Sequence, residues 1–176
     1  TFTLTDNTNQ IATVTINVIL VELQPESAEI SLGGQTSGIP ARLDFATGLR
    51  ISDEDATGNN TVDLHFLQQD ATNLYLCSPN NSDINTALGV TDDKSITTST
   101  TFVKVDKQAY EGLDARSLGS TVAPAKFVRF QIGGCYRYES STGEIGIVFV
   151  SYYHILVDET LTNGEIKVKY KPLVLK

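Results

Sequence analysis

Apolar and polar positions alternate most regularly between residues 135 and 173. In Glu165-Ile-Lys-Val-Lys-Tyr-Lys171, Ile166, Val168 and Tyr170 fall on one face and Lys167, Lys169 and Lys171 on the other. That period of two marks a strand with one buried face. Residues 144–156 are apolar on both faces: Ile145, Ile147, Phe149 and Tyr153 share one side, and Val148, Val150, Tyr152 and Leu156 the other. A strand covered from both sides belongs in the middle of a sheet. Residues 135–139 form a shorter strand and 140–143 a turn. A second turn over 158–164 ends in Asn163-Gly164, a pair suited to the positive φ angles of a type I′ hairpin. The lysine stripe reads as the wet face of its strand, guarding an edge.

The same signals recur upstream. Residues 2–5, a turn at 6–10 and a long arm at 11–23 read as a hairpin, with Val14, Ile16, Val18 and Leu20 alternating with Thr13, Thr15 and Asn17. A hairpin alone is barely stable in water and needs a sheet to join. Gln24-Pro25-Glu26 interrupts the pattern as a hinge. Residues 1–24 are therefore either the end of an upstream domain or an arm of the domain formed by residues 25–176. Further strands are expected at 28–32, 61–67, 73–77, 102–105 and 126–132. In these, Val62, Leu64, Phe66, Val128, Phe130 and Ile132 point inward, and Asp63 and His65 outward. Residues 43–51 hold a strand or an irregular crossing. The polar stretch 82–101 reads as a long surface loop. Helical character is confined to 107–118, where Ala109, Leu113 and Leu118 share a face and Gly112 keeps the helix short. The expected fold is all-β, an antiparallel β-sandwich with at most one short helix.

Composition narrows the function. The 176 residues suffice for one full core, and 40% hydrophobic content argues against disorder. A net charge of −8 disfavours nucleic acid and anionic lipid, leaving neutral or cationic partners such as a glycan or a surface protein. No apolar run reaches the length of a membrane span, so no membrane insertion is expected within this chain. The chain begins at Thr1 and contains no methionine. The expectation is a piece of a longer precursor, exported to the cell surface or outer membrane and anchored through upstream sequence.

Candidate chemistry is sparse. Asp53, Asp55, Thr57 and Gly58 occupy the first, third, fifth and sixth places of a calcium loop, but the twelfth is Leu64 where a bidentate Glu is needed. Calcium at Asp53, Asp55 and Thr57 is thus a candidate, and a solvated acidic turn the preferred reading. Tyr136 and Tyr138 share a strand face. Exposed, they would stack on sugar rings; buried, they are core, which is preferred. Cys77 and Cys135 form one disulfide or remain two buried thiols. His65 and His154 lie far apart with no local partner. Glu139 and Glu144, or Asp53 and Asp63, flank turns and strand starts without a catalytic pattern, and no nucleophile elbow or phosphate-cradling loop is present. No catalytic residue is assigned, and the chain is not expected to be an enzyme.

Five segments carry a resemblance. Gly48-Leu-Arg-Ile-Ser52, Thr61-Val-Asp-Leu-His-Phe66 and Leu76-Cys-Ser-Pro79, with the closing Gly143-Glu-Ile-Gly-Ile-Val-Phe-Val150 and Glu165-Ile-Lys-Val-Lys169, resemble a β-rich domain of Bacteroidetes cell-surface lipoproteins. The likeness covers roughly residues 25–176. It implies an exported module behind immunoglobulin-like domains, the last of which residues 1–23 would end, and it supplies no site residues. The function expected is a non-catalytic module, structural or adhesive. The alternative is a carbohydrate-binding module of a glycan-uptake system.

Overall fold

Strands with one apolar face need a second sheet to cover it, and the chain supplies two that face each other. The computed structural model describes residues 2–5, 11–14, 21–70, 72–89, 94–112, 122–154 and 163–175. In chain order these hold β1 (Phe2–Thr5), β2 (Ile11–Val14), β3 (Val21–Leu23), β4 (Ile30–Gly33), β5 (Arg42–Leu43), β6 (Arg50–Ile51), α1 (Asp53–Ala56), β7 (Leu64–Gln68) and β8 (Leu74–Cys77). They continue with α2 (Asn81–Leu88), β9 (Thr100–Val105), α3 (Lys107–Glu111), β10 (Phe127–Arg129), β11 (Cys135–Ser140), β12 (Ile145–His154) and β13 (Glu165–Leu175). One sheet has the order β10-β8-β7-β5-β6. The other runs β3-β13-β12-β11-β9, with β4 also on β13, while β1 and β2 pair with each other. Among the described residues every strand pairing is antiparallel. The fold is an all-β sandwich with three short helices among the described residues, where at most one was expected.

The core lies between the sheets. Leu43, Leu64, Phe66 and Leu76 from one meet Phe102, Tyr136, Tyr138, Val148, Val150, Ile166, Val168 and Tyr170 from the other. Phe45, on the β5–β6 connection, stacks on Tyr138 with ring centroids 3.8 Å apart and planes 16° apart. Gly146, paired with Tyr138 across the β11–β12 ladder, makes room for that ring. A Cβ at Gly146 would run into the Tyr138 hydroxyl and lie 2.6 Å from the Lys171 carbonyl oxygen. A strand glycine here marks a close approach.

Each sheet also has a helix on its outer face. Ala109 and Tyr110 of α3 cover Val103, Val105, Cys135 and Ile147. Ile84 of α2 covers Leu67 and Cys77 on the other sheet. Helix α2 overturns the expected loop at 82–101. The Asn80 side chain accepts the Ser82 N–H at 3.0 Å, and Gly89 ends the helix at φ 65°, so both ends are capped within a short polar stretch. Helix α3 falls where helical character was read but is shorter than 107–118; residues 113–121 lie outside the described residues.

Other differences have local causes. Register shifts between Val150 and Tyr152 on β12, a bulge that puts Tyr153 against the core and leaves Tyr152 exposed beside Lys167. Unbroken alternation had placed these tyrosines on the opposite faces. The strand pairing ends at His154↔Glu165, so Asn163-Gly164 is not a two-residue turn; most of that connection, 155–162, lies outside the described residues. Strand β13 is not an edge, because β4 and β3 pair along its other side. Its lysines are engaged: Lys169 pairs with Glu26, Lys167 with Glu29, and Lys171 lies 4.5 Å from the centroid of the Tyr110 ring. The segment expected to hinge is fastened instead, with the Gln24 N–H donating to Pro172 O and the Ser27 N–H to Tyr170 O. Within the long arm expected over 11–23, residues 15–20 lie outside the described residues. Ile132 is exposed. Asp63 and His65, read as outward, are both buried: His65 lies on the outer face beside Arg42 and Cys77, whereas Asp63 turns towards Ser140 and Thr142 of the facing sheet.

The Gly146 contact is testable. Gly146→Ala is expected to destabilise the protein by about 3 kcal/mol, since the added methyl meets backbone as well as a ring. The urea midpoint measures it, and an unchanged midpoint would mean that Tyr138 does not lie over this glycine.

Candidate functional site

The turn from β4 to β5 and the start of α1 face each other across a cleft of about 240 Å³. One wall is a glycine turn. The Ser37 hydroxyl donates to Gly34 O at 2.7 Å and accepts the Ile39 N–H at 3.1 Å. That packing needs Gly33: a Cβ there would collide with the Ser37 hydroxyl and lie 2.6 Å from Ile39 Cβ. Ile39 and Pro40 give this wall an apolar patch, and Gln35 adds an exposed amide.

The opposite wall is built by a cap. Ser52 accepts the Asp55 N–H at 3.2 Å and donates to Asp55 Oδ2 at 2.8 Å, so the chain turns into α1 with Asp53, Glu54 and Asp55 in its first turn. Asp53 reaches back to an ion pair with Arg42. The Arg42 side chain is 3% exposed and that of Asp53 57%, so a buried guanidinium meets a carboxylate at the rim. Beside Arg42 on the outer face of this sheet stand His65 and then Cys77, in cross-strand register. Burial, and next the Arg42 charge, push the His65 pKa down to about 3. A neutral imidazole lies under a charged pair.

The residues singled out in the sequence fare differently. Asp53 and Ser52 line the cleft. Asp55 is spent on Ser52, and Thr57 ends the helix at φ −61° and ψ 116°. On a helical turn residues two apart point about 200° apart, so Asp53, Asp55 and Thr57 do not converge as a calcium loop would need. Among the described residues no three His, Cys, Asp or Glu side chains could hold a metal ion together. Tyr136 and Tyr138 are 1% and 0% exposed and belong to the inter-sheet core, so neither ring offers a face to a sugar. Cys77 and Cys135 lie on the outer faces of opposite sheets, buried and unlinked. Burial raises both thiol pKa values, that of Cys135 to about 11. His154 is exposed and stacks on Tyr152, with centroids 6.2 Å apart.

Two polar groupings escaped the sequence. Asp83 of α2 accepts from the Ser78 and Ser99 hydroxyls at 2.9 and 2.7 Å, and Lys126 contacts both Ser99 and Asp83. This network fastens α2 to the approaches of β9 and β10. Asp63 gathers the Phe45 N–H and the hydroxyls of Ser140 and Thr142. Apart from Ser78, five residues before Asp83, the partners come from distant parts of the chain, so no local motif announces them. The capped ends of α2, Asn80 and Gly89, did offer a local signal.

Compared with family models, curated proteins and solved structures, the chain matches none. Among the described residues no helix is long and apolar enough to cross a membrane.

Three outcomes follow from this geometry. Asp53→Ala takes the rim carboxylate away from the buried Arg42 guanidinium and is expected to cost about 1–3 kcal/mol, read from chemical denaturation. A thiol reagent should find neither cysteine in the native protein and both after unfolding; no thiol in the unfolded, unreduced chain would reveal a bond between them. His65 is neutral when folded and titrates near pH 6.5 when unfolded. Its contribution is therefore present above about pH 6.5 and is lost as pH falls towards 3. His65→Gln should remove that acid-side loss from the stability profile.

Proposed function

We propose that the chain is a non-catalytic, adhesive module of an exported bacterial cell-surface protein, taking a small polar group of its partner into the cleft beside Asp53 and Glu54. The observation that carries this reading is the cleft itself, with carboxylates and an amide on a rim that also holds an apolar patch. At about 240 Å³ it lies below the roughly 300–1,000 Å³ of sites that enclose a whole small molecule. It suits one side chain, or the end of a larger ligand. Net charge −8 and the rim carboxylates favour a cationic group. Support for a place at the cell surface comes from the resemblance of residues 48–52, 61–66, 76–79 and the closing strands.

A carbohydrate-binding role is the second reading. Gln35, Asp53 and Glu54 are planar hydrogen-bonding groups of the kind that grip sugar hydroxyls.

An array of glycans and of lysine- and arginine-containing peptides, run with calcium and with EDTA, separates the two. Retention of cationic peptides, reduced at least tenfold by Glu54→Lys, is the expected result. Glycan retention lost in the same variant would favour the sugar reading. Retention of neither would remove the cleft as a recognition site.

A further inference from the structure

Asp63, just before β7, is 1% exposed and shares no residue with the cleft. Its Oδ2 accepts the Phe45 N–H at 2.9 Å. Its Oδ1 lies 2.6 Å from Ser140 Oγ and 3.1 Å from Thr142 Oγ1, and those two hydroxyl oxygens are 2.8 Å apart. Three oxygens thus form a triangle with hydrogen-bonding distance on every edge. Ser140 and Thr142 bring two hydroxyl protons for three edges. If Asp63 is a carboxylate, one edge sets lone pair against lone pair beside two buried groups, Asp63 and Ser140, with only Thr142 reaching the surface. If it is a carboxylic acid the ring closes, with Oδ1–H donating to one hydroxyl, that hydroxyl to the other, and the last back to Oδ1.

We propose that Asp63 is a proton-binding site, and that the proton it holds in the folded module closes the seam between the two sheets. The surroundings favour the neutral acid. The groups that act on this end electrostatically are Asp44 on the β5–β6 connection, Glu144 on the turn into β12, and the phenols of Tyr138 on β11 and Tyr170 on β13. None of these is a cation. Tyr138 is fully buried, and its hydroxyl has no hydrogen-bond partner among the described residues. Burial raises the Asp63 pKa first of all. The hydrogen bonds from Ser140, Phe45 and Thr142 pull against it, and the Asp44 charge adds to the rise. Burial raises Glu144 too, followed by the charges of Asp63 and Asp44. A raised folded pKa means stability that is full below the ordinary carboxylate range and is lost as pH rises through the folded value. His65 acts in the opposite sense on the acid side, so the informative quantity is the difference between two proteins at each pH.

Urea unfolding of the wild type, Asp63→Asn and Glu144→Gln between about pH 4 and pH 9 tests this. Asp63→Asn is neutral at every pH and its amide donates where the acid proton sits, although that nitrogen cannot accept the returning hydroxyl, so the variant removes the titration without restoring the whole ring. Its midpoint should move above that of the wild type progressively as pH rises, while Glu144→Gln keeps most of the wild-type slope. A difference that stays flat, or that turns in favour of the wild type at high pH, overturns the proposal. Infrared spectra give a second reading that does not depend on the variant folding. The carbonyl band of a buried, protonated carboxylic acid should persist in the wild type to a pH above the ordinary carboxylate range and be missing from Asp63→Asn, and a band lost within that range would equally overturn the proposal.

Discussion

The flat stack of Phe45 on Tyr138 joins the two sheets within their shared core. Its requirements reach well beyond the two rings. Tyr138 occupies its position because Gly146 has no side chain, which places a constraint on β12. Phe45 comes from a connection, not a strand, so something must fix its backbone. Asp44 does so locally by accepting the N–H groups of Ala46 and Thr47 at 2.8 and 3.2 Å, and Asp63 does so from across the turn by accepting the Phe45 N–H. Tyr170 closes the group from β13, 5.1 Å from Phe45 between ring centroids. An apolar stack and a buried carboxyl are thus one structural unit. The ring is placed by a polar group that is itself costly to bury, and its cost is offset only while every hydrogen bond around it is made.

The outer faces repeat the solution on a smaller scale. Each sheet carries apolar residues on its far side, and each has one short helix to cover part of them. A helix of five or eight residues has little stability of its own, so the covering depends on tertiary ties. For α3 these are the Tyr110 hydroxyl on Glu26 at 2.6 Å and the Lys171 amine on the Tyr110 carbonyl at 2.7 Å. For α2 they are the hydroxyl and lysine contacts of Asp83. The two cysteines end up under these helices, on opposite sides of the sandwich. Position alone therefore decides between the disulfide and the two buried thiols that the sequence had left open.

Legibility followed the range of the interaction. The meander from Cys135 to Leu175 could be read because alternation records which face a strand buries, and Ile166, Val168 and Tyr170 are where that pattern puts them. Alternation failed where apolar residues occupy both faces. Nothing in Val150-Ser-Tyr-Tyr153 marks the shift of one residue that sends Tyr153 inward. It also failed for His65, since a polar residue at an outward position says nothing of what will later cover it, and for Asp63, which precedes β7 and turns towards Ser140 and Thr142 of the facing sheet. Tyr136 and Tyr138 were open to two readings because a face of aromatics looks alike in a core and on a platform. In the cleft, Asp53 was visible as part of an acidic turn. The glycine turn that faces it comes from residues 33–41, and only the folded chain brings the two walls together.

The position of the cleft constrains how strongly it can bind. It sits where the smaller sheet stops, at β6, a strand of two residues. An edge that short gives an incoming strand little to pair with. A ligand there must be recognised by side chains rather than by extension of the sheet. Several of those side chains already have structural duties: Ser52 caps α1, Asp55 answers Ser52, and Asp53 neutralises Arg42. A ligand competing for Asp53 would have to replace the ion pair of a buried guanidinium, which opposes tight binding at that residue. Glu54 and Gln35 are left as the rim groups able to meet a partner at low cost. Two polar groups and a small apolar patch support modest affinity for one site. On the adhesive reading that is no handicap, because linked copies on a surface convert weak contacts into strong attachment through effective concentration.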